Sequence, residues 1–279
     1  MLYFGQRAYA QAADHLERAL RYPYPGSFAV SQALGMAHYN QGQWNEAVRA
    51  FRSSLIGHPN ATRVHYYLGI SLGKLKQHEK AIRHLRRAVE LNPLMAGFHL
   101  ELGSVLGEAG DSEKAVRELE TAVRLDPNLP QVHHLLGLQR KGAGDLDSAV
   151  KAYQKALEFD ARDAEVLNSL AVVYVELERF SSAGQIFRSL AEDWPDRPQY
   201  RVNLAVVLLN TGQHGAALAS CKKALEMDPE YASAYAVMGS VYESQGDLTK
   251  ARWAYREALG RNPDDQVFRN SLRVLEGAP

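Results

Sequence analysis

Cysteine is almost missing from this sequence. Cys221 stands alone, so no disulfide framework can form and the redox compartment is left open. An excess of charge of one sign is missing too. Lys plus Arg and Asp plus Glu each number 32, for a formal net charge of zero. Nucleic-acid binders usually carry a basic surplus on one face, so the balance argues against that class. No apolar run approaches the roughly 18 residues of a membrane span. The first twenty residues have no basic segment leading into an apolar one, as a secretion signal would. Gly-rich phosphate loops, dinucleotide fingerprints, His-Glu-x-x-His helices and paired cysteines are all absent from the sequence. These absences lead to the expectation of a soluble, non-catalytic chain with no cofactor, no metal, no nucleic-acid partner and no membrane insertion, the cytoplasm being the favoured compartment.

A repeat is present instead. Its period is 34, without insertion from residue 28 to 265, giving units 28–61, 62–95, 96–129, 130–163, 164–197, 198–231 and 232–265. Counting from the first residue of each unit, position 7 is Leu34, Leu68, Leu102, Leu136, Leu170, Leu204 or Met238. Position 8 is Gly35, Gly69, Gly103, Gly137 or Gly239, with Ala171 and Ala205 in the other two units. Position 20 is always alanine, from Ala47 to Ala251. Position 24 is large or apolar: Phe51, Leu85, Leu119, Tyr153, Phe187, Cys221 and Tyr255. Positions 20, 24 and 27 follow i, i+4, i+7 spacing and form one apolar helix stripe. Glycine inside a helix costs roughly 1 kcal/mol against alanine. Its recurrence at position 8 therefore predicts close approach of two helices. Gly110-Asp111, Gly144-Asp145 and Gly246-Asp247 pair a helix stop with an N-cap for the next helix. Pro at position 32 closes six of the seven units, Ala161 being the exception.

These positions resemble the tetratricopeptide repeat family over 238 of 279 residues. The resemblance implies an all-α fold, with antiparallel helix pairs stacked into a right-handed superhelical solenoid around a concave groove. It also implies that positions 2, 5, 6, 9, 12 and 13 of each first helix line that groove. Carried onto this chain from the second unit onward, the rule picks out two patches as a partner-binding groove. One is basic and aromatic: Arg63, Tyr66, Tyr67 and Lys74, with Glu101 and His134 on the following units. Tyr and Arg dominate interface energy in general. The other is apolar: Val172, Val175, Val202, Val206 and Leu209, flanked by Asn168 and Asn203, which are suited to a peptide backbone. Ile70 and Leu138 fall on the same map. An apolar groove invites a peptide or an amphipathic helix of a protein partner. The clamp that chaperone-binding members use for a C-terminal carboxylate is not assembled in any three consecutive units. Asn203 stands alone at position 6, so an asparagine ladder like that of glycosyltransferase recruiters is not formed either.

The function expected is a non-catalytic protein–protein interaction scaffold. Two alternatives stand beside it: a substrate-recruiting segment of a larger enzyme, and a scaffold that self-assembles through its N-terminal end. Residues 1–27 read as a partial repeat, the end of a first helix followed by a second. Tyr9, Ala12, Leu16 and Ala19 would form its stripe, in a register displaced by one residue at Tyr22 to Pro25. Half a helix makes a poor cap, which leads to the expectation of a fragment or of a neighbour at that end. Residues 266–279 read as a capping helix, with Phe268, Leu272 and Leu275 turned inward. His65, His99 and His133 share position 4. Rungs of a helix stack are roughly 8–10 Å apart, too far to share one metal ion, so a structural role is expected. Cys221 lies on the core stripe and is expected to be inert. Trp253, at an outward position, is expected either to pack on the terminal helix or to mark a contact surface.

Overall fold

A computed structural model describes residues 2–20 and 27–277, and the displaced register expected at residues 22–25 lies outside the described residues. Among the described residues there are sixteen helices and no strand. They fall into two compact bodies, residues 1–145 and 146–279. The first holds α1 (Leu2–Leu20), α2 (Ser27–Asn40), α3 (Trp44–Gly57), α4 (Thr62–Lys74), α5 (His78–Leu91), α6 (Ala96–Glu108), α7 (Ser112–Leu125) and α8 (Pro130–Gly142). The second holds α9 (Leu146–Leu157), α10 (Ala164–Glu176), α11 (Phe180–Asp193), α12 (Pro198–Asn210), α13 (His214–Met227), α14 (Ala232–Ser244), α15 (Leu248–Arg261) and α16 (Gln266–Glu276). No helix among them is long and apolar enough to cross a membrane.

The glycines of position 8 are where the helix pairs close. A methyl group added at Gly69 would sit 2.6 Å from Leu85 Cγ, and one at Gly103 would sit 2.7 Å from Leu119 Cγ. Gly35 meets the Phe51 ring and Gly239 the Tyr255 ring in the same way. The position-24 side chain thus lies directly on the backbone of the first helix. Ala47, Ala81, Ala115, Ala149, Ala183, Ala217 and Ala251 are all fully buried. In the first body the first helices also touch one another, α2 on α4, α4 on α6 and α6 on α8, while the second helices make no comparable contact. Side chains on the first helices therefore share one continuous face.

Each turn within a pair ends with one residue in the left-handed region. Glycine fills that place at Gly42, Gly110, Gly144, Gly212 and Gly246, but Lys76 (φ 58°) and Glu178 (φ 55°) occupy it in their units. A side chain there costs about 1–2 kcal/mol, of which glycine's greater freedom in the unfolded chain offsets part. Lys76→Gly and Glu178→Gly are each expected to raise stability by about 0.5–1 kcal/mol. The Lys76–Glu108 ion pair that the first would remove is solvent-exposed and contributes little. Urea midpoints check this, and a midpoint that falls would show that the backbone there is not strained.

Each end of the described residues is one helix packed on its neighbour. α1 runs uninterrupted from Leu2 to Leu20. Its inward side is Ala13, Leu16 and Leu20, which pack with Leu34, Ala37 and Ala50. Tyr9 and Ala19 are exposed. Ala13 stands 34 residues before Ala47, so the repeat register reaches α1 undisplaced at that alanine. At the other end, α16 buries Phe268, half-buries Leu272 and Leu275, and stops at Gly277 in the left-handed conformation.

Candidate functional site

The groove face of the first body is an aromatic row with an acid set into it. Tyr66 and Tyr67 come from α4, Tyr39 from α2, and Glu101 and Phe98 from α6. Ring centroids are 5.1 Å apart for Tyr39–Tyr67, 5.1 Å for Tyr66–Tyr67 and 4.8 Å for Tyr66–Phe98. Trp44 extends the row edge-on from Tyr39 at 5.5 Å. Offset and edge-to-face rings at these separations lock one another in place. Tyr39 holds position 12 of the first unit, a groove position, and a map begun at the second unit misses it.

Glu101 is the unusual member. Its side chain is half-buried, yet it makes no hydrogen bond and no ion pair within 4 Å among the described residues. Burial first raises its pKa; Lys74 pulls it back and Glu108 pushes it further up. The Glu101 charge in turn raises the phenol pKa values of Tyr39 and Tyr66, second in each case to burial. The carboxylate is thus within electrostatic reach of both phenols. Tyr39, Tyr66 and Tyr67 likewise make no side-chain hydrogen bond among the described residues. A half-buried acceptor without a protein partner is costly unless water or another donor reaches it. Arg63 and Lys74 are exposed at the margin, and His134 is half-buried on α8.

In the second body the groove face is apolar with an amide pair. Asn203 Nδ2 donates to Asn168 Oδ1 at 3.0 Å. That bond leaves the Asn168 N–H donors and the Asn203 carbonyl unused by the pair, which is the complement of a peptide unit. Val172, Val175, Val206 and Leu209 are half-buried along the same two helices, α10 and α12. Asn168 also opens onto a cavity of about 390 Å³ shared with Glu165, Trp194, Arg197, Gln199 and Tyr200.

Two residues of the expected groove belong to the core instead. Val202 is 5% exposed and packs with Ala205 and Leu208, with Ala217 and Cys221 of α13, and with Ala234, Met238 and Val241 of α14. Tyr66 occupies the same position in its unit and stays half-buried. A short β-branched side chain ends against the neighbouring helices, whereas a long phenol reaches past them. Ile70 is buried for a related reason, packing with Leu68, Leu72 and Val105. Tyr67 is partly a core residue, since its ring stacks on Phe51 at 6.3 Å.

The remaining candidates have structural roles. His65, His99 and His133 each reach back through Nε2 to the carbonyl of Pro59, Pro93 and Pro127, at 2.9, 2.9 and 3.4 Å. Position 4 thereby ties each unit to the proline that ends the one before it. Cys221 is fully buried, and burial pushes its thiol up to about 12, far from nucleophilic. Trp253 stays 46% exposed and packs edge-on to Tyr235.

Paired helices closed by glycine and alanine at fixed places, repeating every 34 residues, define a tetratricopeptide array. Residues 5–234 match the family described as the cilia and flagella-associated protein 70 C-terminal domain, and residues 208–273 match the one described as tetratricopeptide repeat. The chain belongs to the tetratricopeptide repeat proteins, within the family of that C-terminal domain. A curated relative, the small glutamine-rich tetratricopeptide repeat-containing protein 2 of Mycosarcoma maydis, is 27% identical over 109 residues. That alignment covers 39% of this chain and 31% of the relative, so the chain spans about a third of the relative's length. Among solved structures, a tetratricopeptide repeat protein from Parabacteroides merdae superposes with a TM-score of 0.71 at 15% identity, over 89% of this chain and 98% of that one. YrrB, described as a repeat protein with an unusual peptide-binding site, gives 0.53 at 21% identity, over 67% and 96%. At these identities the likeness is one of fold. The architecture is that of a protein-interaction scaffold.

Proposed function

We propose that the groove faces of the two bodies bind segments of partner proteins, and that the protein acts by presenting them without chemistry of its own. The observation that carries this reading is Glu101, an unpartnered carboxylate held half-buried among Tyr39, Tyr66 and Tyr67. A lysine or arginine of a bound segment would meet the carboxylate and the faces of the phenol rings together. In the second body, Val172, Val175, Val206 and Leu209 favour an apolar segment, with Asn168 and Asn203 holding its backbone. Because the first helices are already packed, little ordering entropy is lost by the receptor on binding.

The test is selection of a random peptide display library on the protein, with affinities of the selected peptides measured against variants. Peptides with a basic residue next to an apolar or aromatic one are expected. Glu101→Gln is expected to weaken them about tenfold, the usual scale for a lost charged hydrogen bond. Tyr66→Phe is the companion variant, because it removes the hydroxyl and keeps the ring that packs on Phe98. Val206→Asp is expected to abolish binding of apolar peptides to the second body with helicity intact. Selected peptides that ignore both Glu101→Gln and Val206→Asp would sink the groove reading.

A further inference from the structure

The second helices of the first body carry a charge imbalance that the composition hides. α3 and α5 together hold six basic residues, Arg49, Arg52, Lys80, Arg83, Arg86 and Arg87, against three acidic ones. Arg52, Arg83 and Arg86 are exposed and have no ion pair or side-chain hydrogen bond among the described residues. The neighbouring α7 shows what satisfied charges look like here. Its Lys114, Arg117, Glu118 and Glu120 pair with Asp111, Glu113, His99 and Arg140, and Arg124 bonds Thr121. The imbalance on α3 and α5 is therefore not a general property of this surface.

Two of these cations, Arg49 and Arg52, also line a concavity. A cavity of about 460 Å³ between α3 and the turn before α5 is lined by Val48, Arg49, Arg52, Leu75 and Gln77, with Asn45 and Glu46 at its edge. Glu46 is occupied by Arg49 at 2.8 Å. Lys80 Nζ donates to Gln77 Oε1 at 2.9 Å, which brings a further cation to the rim. The positive field is felt nearby: Arg52 and Arg83 both help to hold the His84 pKa low, after burial and His65.

We propose that this face of α3 and α5 docks an acidic, Asp/Glu-containing segment of a partner protein. Guanidinium groups match carboxylates in shape and charge. The apolar floor of Val48 and Leu75 gives an interleaved aliphatic side chain a place to sit. A flat anionic membrane would not use the concavity. Nucleic acid would want a larger basic field and stacking rings, and the floor has no aromatic residue.

The probe is a fluorescent peptide alternating glutamate and leucine, titrated by anisotropy at low and physiological salt. Arg52→Glu with Arg83→Glu is expected to weaken it about tenfold or more, and Lys222→Glu with Lys223→Glu, exposed on α13, to leave it unchanged. Arg52→Gln with Arg83→Gln gives an intermediate loss and serves if the charge reversal disturbs folding by circular dichroism. Glu101→Gln should leave this peptide unaffected, which separates the site from the groove. The proposal is overturned if a lysine–leucine peptide binds as well, or if both double charge reversals weaken binding equally. It is also overturned if Arg52 and Arg83 govern binding to phosphatidylserine vesicles or single-stranded RNA and not to the acidic peptide.

Discussion

Gly103→Leu is expected to destabilise the first body by about 3 kcal/mol or more, although leucine is the better helix former by roughly 0.8 kcal/mol. The two effects have opposite signs, and geometry decides between them. A Cβ at this position already falls 2.7 Å from Leu119 Cγ and 3.1 Å from the Ala115 carbonyl oxygen, and the longer side chain adds to that overlap. Leu119 and Ala115 are fully buried, so neither has room to retreat. Relief requires α7 to move away from α6, and α7 also packs on α8. In a stacked array such a displacement is felt by the next repeat. Gly260→Ala is the matched control. It also lies within a helix, but nothing lies within 4 Å of its added methyl. That variant should gain up to about 1 kcal/mol. Urea unfolding followed by helicity compares the two. A loss under about 1 kcal/mol for Gly103→Leu would show that the helix pair is not closed by this contact.

Acid should weaken the first body through His84. His65 Nε2 faces the Pro59 carbonyl, which accepts only, so the neutral ring keeps its proton there and offers Nδ1 as an acceptor. The 3.0 Å contact between the two Nδ1 atoms then assigns the donated proton to His84. Protonating the pair further puts like charges together. Burial, then His65, Arg52 and Arg83, bring the His84 pKa from 6.5 down to about 4. The folded state therefore binds fewer protons than the unfolded chain in this window. Stability is fully present above pH 6.5 and is lost as pH falls towards 4. With allowance for partial exposure the loss is roughly 1–2 kcal/mol. His84→Gln keeps a donor for His65 and does not titrate, so its stability should fall less over the same window. Carboxylates that titrate nearby cancel in the difference between wild type and variant. Equal losses in both proteins would show that this histidine does not carry the effect.

The core was legible because it is periodic. Leucine at position 7, alanine at 20 and a large residue at 24 recur in register, and local helix geometry turns that spacing into one buried stripe whatever the neighbours are. Cys221 and the position-4 histidines were legible for the same reason, since the repeat places them beside fixed partners. Which of the expected groove positions stay open to solvent was not legible. Val202 and Val206 stand one turn apart on α12, and no property of valine distinguishes them. The first is covered by α14 while the second stays half-buried.

What the sequence determined by itself is the repeat, the pairing of helices and the contact that closes each pair, all short-range consequences of spacing. Only the tertiary structure decided which of the expected groove positions remain open, that Glu101 comes within electrostatic reach of Tyr39 and Tyr66 without an ion pair, and that Arg52, Arg83 and Arg86 on α3 and α5 stay unpaired while the charges of α7 are satisfied. The physical reason is common to these cases. Composition records how many charges and apolar groups exist, but pairing and burial depend on which side chain from a neighbouring helix comes within a few ångströms. That is set by how each helix is rotated against the next.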